Sequence, residues 1–271
     1  MTNQGKIAVV TGGSRGIGRA ISVRLSSMGC FVWVNYVNRP EAAQETIDLI
    51  REAGGQGQVV QFDVADFDQV QSAFKSIVAE SGSIDILINN AGILRDKTFA
   101  KMSMDDFRLV IDVHLMGSVY CTKAVWEIMR SQQYGRIVYT RSSTGLYGNF
   151  GQSNYGAAKM AMVGLMNTLH LEGAKYNIHV NCLAPTAGTA MTDGLLPDEV
   201  FKLLSPESVS PGVVFLASES APTRKVLVAG GGTFAIFKGF ETDGVNLLPD
   251  NLSADGVAAA WDAINDETGM K

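Results

Sequence analysis

Several things are scarce in this chain, and each scarcity narrows what it can be. Cysteine occurs three times, as Cys30, Cys121 and Cys182. The three are scattered and make no C-x-x-C spacing, so neither a disulfide framework nor a metal site is expected, and they read as reduced core residues of a cytoplasmic protein. Basic runs are absent and the formal net charge is −5 at pH 7, which argues against a nucleic-acid partner. No apolar stretch approaches the roughly 20 residues that a bilayer span needs, so no membrane role is expected. The opening MTNQGKIAVVTGG runs straight into a strand without a signal-peptide pattern, and the closing GMK is not a peroxisomal tripeptide. Proline is sparse, at seven residues in 271, and forms no linker; no repeat or low-complexity tract breaks the chain. One domain is therefore the default, since parallel α/β folds reach this length as single units.

What is present is a regular alternation. Short β-branched runs at 6–11, 31–36, 58–63, 84–89, 136–140, 178–184 and 225–230 are separated by segments with helical spacing at about 16–28, 40–53, 66–81, 103–131, 154–176 and 206–219. Nearly continuous apolar strands between helices imply a parallel sheet covered on both faces. The fold class is α/β, doubly wound, with seven parallel strands, and the 46% apolar content suffices for its core. The sheet domain is expected to span 1–235, with a substrate lid at 186–204 and a C-terminal extension at 236–271.

The first strand runs into Thr11, Gly12, Gly13, Ser14, Arg15, Gly16, Ile17 and Gly18. Glycines at a strand-to-helix turn let the backbone approach a pyrophosphate, and the helix N-terminus supplies free amides and a positive dipole. The spacing is GxxxGxG from Gly12. About 20 residues on, where an acid would hold the adenosine ribose, the second strand ends in Asn35, Tyr36, Val37, Asn38 and Arg39, with no carboxylate. Arg15 and Arg39 stand where guanidiniums could pair with a 2′-phosphate, so NADP is preferred, with NAD the other choice; the bland reading leaves both as solvated charges. Asp63 and Val64 end the third strand and are placed at the adenine edge. Asn90, Ala91 and Gly92 follow the fourth strand, where small and amide residues can line a cofactor crevice.

Tyr155 and Lys159 sit four apart on one predicted helix and so share a face. A phenol ionises near pH 10 and is a poor acid at neutral pH. A fixed ammonium beside it, and a cationic nicotinamide ring, would favour the phenolate and make Tyr155 a usable proton donor. Ser142, at the end of a strand, could hold a substrate oxygen while the proton moves. On its own the pair is weak, because tyrosine and lysine at this spacing occur in many helices.

Taken together, TGGSRGIG at 11–18, NNAG at 89–92, and Ser142 with YGAAK at 155–159 resemble the short-chain dehydrogenase/reductase family, over about residues 1–235. The resemblance implies a seven-stranded Rossmann sheet, a nicotinamide cofactor, and Ser142, Tyr155 and Lys159 as catalytic residues. It also implies that Asn90 and Lys159 lie near the nicotinamide ribose, and that subunits pair as dimers or tetramers through the helices at 103–131 and 154–176. One position departs from the family pattern: His114 stands in DVHLMG where most members carry an active-site Asn. A neutral imidazole could replace that Asn as donor and acceptor, and His114 is counted with the catalytic residues; a hydrogen-bonded core histidine is the equal alternative. His170 and His179 are read as structural. Arg141, directly before Ser142, either meets a substrate or cofactor carboxamide or turns outward.

Stretches 92–103, 112–124, 134–159 and 178–192 are similar to the (3R)-hydroxyacyl-CoA dehydrogenase part of peroxisomal multifunctional enzymes, and GILRD and GNxGQxNY are shared with 3-oxoacyl-[acyl-carrier-protein] reductases. Both groups handle 3-oxo and 3-hydroxy thioesters. The segment after the sixth strand is then the substrate side. Pro185 and Thr189 at its start are counted among the cofactor contacts, and Met191, Leu195, Leu196, Phe201 and Leu203 are candidates for burying an acyl chain. Arg95, Lys97 and Lys202 are candidates for the phosphates of a thioester. The TFAIFKGF run after the last strand is too apolar to leave exposed and is expected to pack across a subunit boundary, with folding back on its own domain the alternative; a helix is expected at 253–267. Three functions are carried forward: a dehydrogenase or reductase of 3-hydroxyacyl/3-oxoacyl thioesters, an oxidoreductase of a free alcohol or ketone such as a steroid, and a catalytically silent partner subunit.

Overall fold

The computed structural model describes residues 3–188 and 203–269. The chain divides into two compact units, Met1–Ile236 and Phe237–Lys271.

In the first unit the strands are β1 (Ile7–Val10), β2 (Phe31–Tyr36), β3 (Gln56–Gln61), β4 (Ile86–Asn89), β5 (Gly135–Thr140), β6 (Ile178–Thr186), β7 (Val226–Gly230) and β8 (Thr233–Phe237). They form one sheet in the order β3-β2-β1-β4-β5-β6-β7-β8, and β1 to β7 pair in parallel. Parallel neighbours need a crossover, and the helices supply it. The order reverses between β1 and β4, which opens a crevice beyond their carboxyl ends.

The sheet has eight strands, not the expected seven. Gly231 and Gly232, at φ 55° and 78°, make the two-residue connection with positive φ at both positions that a tight hairpin requires, so β8 returns antiparallel along β7. The apolar run at 233–237 thus extends the chain's own sheet, although Phe234 and Ile236 stay 44% and 46% exposed.

One face of the sheet is covered by α1 (Gly16–Ser27), α2 (Pro40–Glu52) and the helix Ser210–Leu216. Ile21 and Leu25 of α1, Ile47 and Ile50 of α2, and Val209 and Val213 near the third helix close over Val10, Val32, Ile88 and Val138. Each such aliphatic side chain contributes about 1.5–3 kcal/mol by leaving water. The other face carries α3 (Phe67–Ser81), α4 (Met104–Ile111), α5 (Gly117–Gln132) and α7 (Ser153–Gly173), preceded by the short α6 (Thr144–Tyr147). Their inward residues include Phe74, Val110, Cys121, Val125 and Met162, all at most 1% exposed. Asp66 caps α3 by accepting from the Asp68 and Gln69 amides, and Ser103 caps α4 through the Asp106 amide.

The long helix expected over 103–131 is interrupted. Between α4 and α5 the backbone widens into a π-helical turn at Asp112–Met116 that carries His114. An extra residue per turn has no hydrophobic-spacing signature, so periodicity could not have placed it.

The second unit holds two short helices, Ala254–Ala259 and Trp261–Ile264, where one helix was expected at 253–267. They are separated at Ala260, whose φ of −93° and ψ of 3° leave the helical region. Ser253 caps the first by accepting from the Gly256 amide, and Thr242 Oγ1 donates to the Ile264 carbonyl at 2.7 Å.

Candidate active site

The end of β1 is tied to the end of β4 by Thr11. Its hydroxyl oxygen accepts from the Asn90 and Ala91 amides at 2.9 and 3.1 Å, and the Asn90 side-chain amide donates to the Thr11 and Gly12 carbonyls at 3.0 and 3.2 Å. From the other side, Asn35 accepts from the Gly12 amide at 3.0 Å and donates to the Phe62 carbonyl at 2.9 Å. The glycine loop is therefore held by three strands. Ser14 is buried, and its carbonyl accepts from Arg19 and from Thr46 Oγ1 at 2.9 and 3.1 Å. Neither Asn35 nor Thr46 was singled out by motif; the signal available was a polar residue inside otherwise apolar positions.

Close approach explains the glycines. Gly12 has φ 60°, and a Cβ there would lie 2.9 Å from Ala91 Cα; one on Gly18 would lie 2.2 Å from the Gly12 carbonyl oxygen. Gly16 has φ 52°. α1 opens directly after this loop, with Arg15 at the N-cap providing no side-chain bond, so the Gly16, Ile17 and Gly18 amides and the helix dipole face outward. Side-chain-free backbone and unspent amides at the switch point fit the pyrophosphate of a dinucleotide.

Arg15 and Arg39 are exposed, and Tyr36 is half-buried at the end of β2. Asp63 is half-buried and accepts from the Ala65 amide at 2.9 Å. Val64 is buried against Gly117, where a Cβ would meet it at 2.8 Å. Pro185 is half-buried near the end of β6. Thr189, Met191, Leu195, Leu196, Phe201 and Lys202 lie outside the described residues, and Leu203 is exposed. Arg95 and Lys97 are both paired with Asp106, at 3.7 and 3.4 Å.

Ser142 follows β5, and Tyr155 and Lys159 lie in the first turns of α7, whose start is pinned by Asn154: its side chain accepts from the Tyr155 amide at 2.7 Å and donates to the Arg95 carbonyl at 3.1 Å. The Ser142 side chain accepts from the Thr144 amide at 3.2 Å and lies close enough to Tyr155 to hold its phenol down. Lys159 is 3% exposed, donates to the Thr140 carbonyl at 2.5 Å, and has Nζ 5.4 Å from the Tyr155 ring centre. Gly145 of α6 lets this corner close, since a Cβ there would lie 2.9 Å from Lys159 Cβ. The chain thus brings Ser142, Tyr155 and Lys159 together.

The electrostatics differ from the sequence expectation. Burial pushes the Tyr155 phenol above its usual value, opposed by the Ser142 side chain and reinforced by the Asp96 carboxylate. Lys159 is itself brought down to about 7, chiefly by burial. Asp96 is held by Gln152 at 2.6 Å, and Gln152 also accepts from Thr144 and Asn149, at 3.0 Å each. This polar cluster at the start of α7 was legible only as part of a motif, not as a network.

His114 packs edge-on to Tyr155, ring centres 5.1 Å apart. Burial lowers it to about 3, so it is neutral at any working pH. Its Nε2 lies 3.0 Å from the Ile93 amide and 2.8 Å from the Ile93 carbonyl, while Nδ1 is buried with no hydrogen-bond partner among the described residues. Gly92 makes the space, because a Cβ there would be 2.3 Å from the imidazole Cε1. His114 is therefore both a buried histidine and the link between the end of β4 and Tyr155. Arg141 is 1% exposed, which removes the outward turn from its two readings: its amide is bonded to the Leu183 carbonyl at 2.7 Å, and its side chain lies beside Met160. His179 Nδ1 donates to the Ala221 carbonyl at 2.7 Å.

Comparison with known proteins agrees with this geometry. A protein of Mycobacterium tuberculosis described as a short-chain type dehydrogenase/reductase is 43% identical over 99% of this chain and 96% of its own length. The peroxisomal hydratase-dehydrogenase-epimerase of Saccharomyces cerevisiae is 39% identical over 96% of this chain, which spans 30% of that longer protein. The full-length peroxisomal multifunctional enzyme type 2 of Drosophila melanogaster superposes with a TM-score of 0.86 at 36% identity, covering 100% of this chain and 47% of that one. With the short chain dehydrogenase family model matching residues 6–199, a glycine loop tied to the β4 end and a serine, tyrosine and lysine gathered beside it are accounted for by descent: the chain belongs to the short chain dehydrogenase family.

Proposed function

We propose that this chain, an oxidoreductase of CH–OH groups by family, interconverts 3-hydroxyacyl and 3-oxoacyl thioesters with NADP(H). The observation that carries the reaction is Ser142 set beside Tyr155, with buried Lys159 5.4 Å from the Tyr155 ring. The substrate class is supported by the similarity to the yeast and fly enzymes and by the GILRD and GNxGQxNY stretches. The assembled site speaks against a catalytically silent subunit.

The nicotinamide, when bound, supplies or receives the hydride at the substrate carbon. The amides at Gly16, Ile17 and Gly18 would hold the pyrophosphate, and Asn90 and Lys159 would lie at the ribose. Ser142 orients the substrate oxygen by hydrogen bond. Tyr155 gives that oxygen a proton in reduction and takes one back in oxidation. His114 and Gly92 fix the Tyr155 ring from the β4 side.

Purified chain should oxidise NADPH with 3-oxoacyl thioesters at a kcat/KM well above that for free ketones of equal chain length. Turnover confined to free ketones or steroids would replace this substrate reading with the second. Replacing Arg15 and Arg39 together with serine is expected to weaken NADP(H) binding by about ten- to a hundredfold, the worth of one or two charge-assisted bonds, and to leave NAD(H) unchanged. Calorimetric titration with both dinucleotides reads this; an equal loss for both would remove the preference for the phosphate.

We further propose a homodimer or homotetramer in the cytoplasm. Along α7, Met160 and Leu171 are 46% and 68% exposed, and Ala157, Gly164 and Thr168 of the same outer face are exposed and uncharged. Such a stripe suits helix-to-helix contact. Among the described residues no helix is long and apolar enough to cross a membrane.

A further inference from the structure

Residues 95–97, in the loop after β4, are tied three times to the start of α7. Asn154 donates to the Arg95 carbonyl at 3.1 Å, Gln152 Nε2 donates to the Asp96 carboxylate at 2.6 Å, and the Lys97 amide donates to the Gly151 carbonyl at 2.9 Å. The first and third end on backbone and seat the helix. The second reaches further, because the Gln152 side chain has another end: Oε1 accepts from Thr144 Oγ1 and from Asn149, at 3.0 Å each. Thr144 in turn donates its amide to Ser142 Oγ at 3.2 Å. One line of contacts therefore runs from Asp96 through Gln152 and Thr144 to the serine beside Tyr155. Its direction is fixed at the outer end. A carboxylate only accepts, so the Gln152 amide turns Nε2 to Asp96 and Oε1 to Thr144, and the Thr144 hydroxyl proton is committed to Oε1.

We propose that Gln152 is a positioning residue acting through Thr144: anchored on Asp96, it holds the first residue of α6 so that Ser142 presents its hydroxyl to the substrate oxygen. The anchor is needed because little else fixes that corner. A serine hydroxyl bonded to an amide two residues on is a weak turn by itself. α6 has only four residues and ends at Gly148, whose φ is 78°, and so short a helix does not hold its own shape. The Thr144 amide occupies one of the two acceptor sites of the Ser142 hydroxyl. What remains is a proton for the substrate oxygen and one site towards the Tyr155 phenol. The inference rests on the role proposed above for Ser142 as the residue that orients that oxygen.

The test compares Gln152→Leu, Thr144→Val and the double variant of the whole chain. Thr144→Val removes the hydroxyl and keeps the shape, while Gln152→Leu removes both ends of the amide. Each single variant should lower kcat roughly tenfold, as loosening of a positioned group does, with dinucleotide Kd unchanged by calorimetry. The double variant should be no slower than the slower single one, since both cut the same line. Thr144→Ser keeps the hydroxyl and should stay near the parent. In Gln152→Leu, hydrogen exchange at the Thr144 amide, read by NMR, should quicken by at least about tenfold. Gln152→Met, equally without donor or acceptor amide, takes its place if the leucine variant does not fold. Losses that add in the double variant, or a Thr144 amide that exchanges as in the parent, overturn the proposal and leave Gln152 a third tie between α7 and the loop after β4. The exchange needs no substrate, and the rates can be read on any carbonyl compound that the chain reduces. The expected coupling in a chain that reduces only free ketones would therefore sink the thioester reading alone.

Discussion

Replacing Tyr155 with phenylalanine should lower kcat by between about a hundredfold and ten-thousandfold, the usual worth of a positioned general acid, with dinucleotide affinity unchanged. The ring packs against His114 and lies near Lys159, and phenylalanine keeps both contacts, so the substitution removes a proton and little else. Steady-state rates beside calorimetric titration of the dinucleotide separate the two quantities. Turnover within a few-fold of the parent would take the role away from Tyr155. Burial raises the phenol in the protein alone, so whatever lowering the chemistry needs must arise in the loaded complex. In reduction, where Tyr155 must carry its proton, the alkaline limb should accordingly differ between kcat and kcat/KM, which report the complex and the free enzyme respectively.

The second large effect belongs to the glycine loop. Alanine at Gly18 would be favoured by helix propensity by about 1 kcal/mol, but its Cβ would stand 2.2 Å from the Gly12 carbonyl oxygen and 2.6 Å from Asn90 Nδ2. Backbone on one side and a doubly bonded amide on the other leave no flexible end to yield. Overpacking of this kind typically costs about 1–3 kcal/mol. The collision outweighs propensity, so Gly18→Ala should bind dinucleotide at least about tenfold more weakly and melt lower than the parent. An unchanged Kd together with an unchanged Tm would show that the loop can move aside.

Most of the fold was legible because the parallel sheet writes itself in apolar runs. β2 and β7 begin and end within a residue of their expected bounds, and α2 and α3 likewise. β8 was not legible as a strand, because an apolar TFAIF run can pack across a subunit boundary or fold back on its own domain until Gly231 and Gly232 are recognised as a hairpin turn. In the candidate site, the glycine loop and the Tyr155–Lys159 pair were announced by spacing, and Ser142 by the family resemblance. The groups that hold them, Thr11, Asn35, Asn154 and Gln152, were not, because their work is done by hydrogen bonds to backbone from distant strands and loops. Arg141 stayed between two readings because the strand was taken to end at Thr140, whereas its amide bond to the Leu183 carbonyl carries the extended pairing one residue further.

The Asn35 bonds constrain anyone who would retarget this chain from one dinucleotide to the other. An aspartate introduced there would set a carboxylate oxygen against the Phe62 carbonyl in place of the amide that now donates to it, loosening the support beneath Gly12 without ever reaching a ribose. Residues 37–39, beyond the end of β2, are where such engineering has room to work.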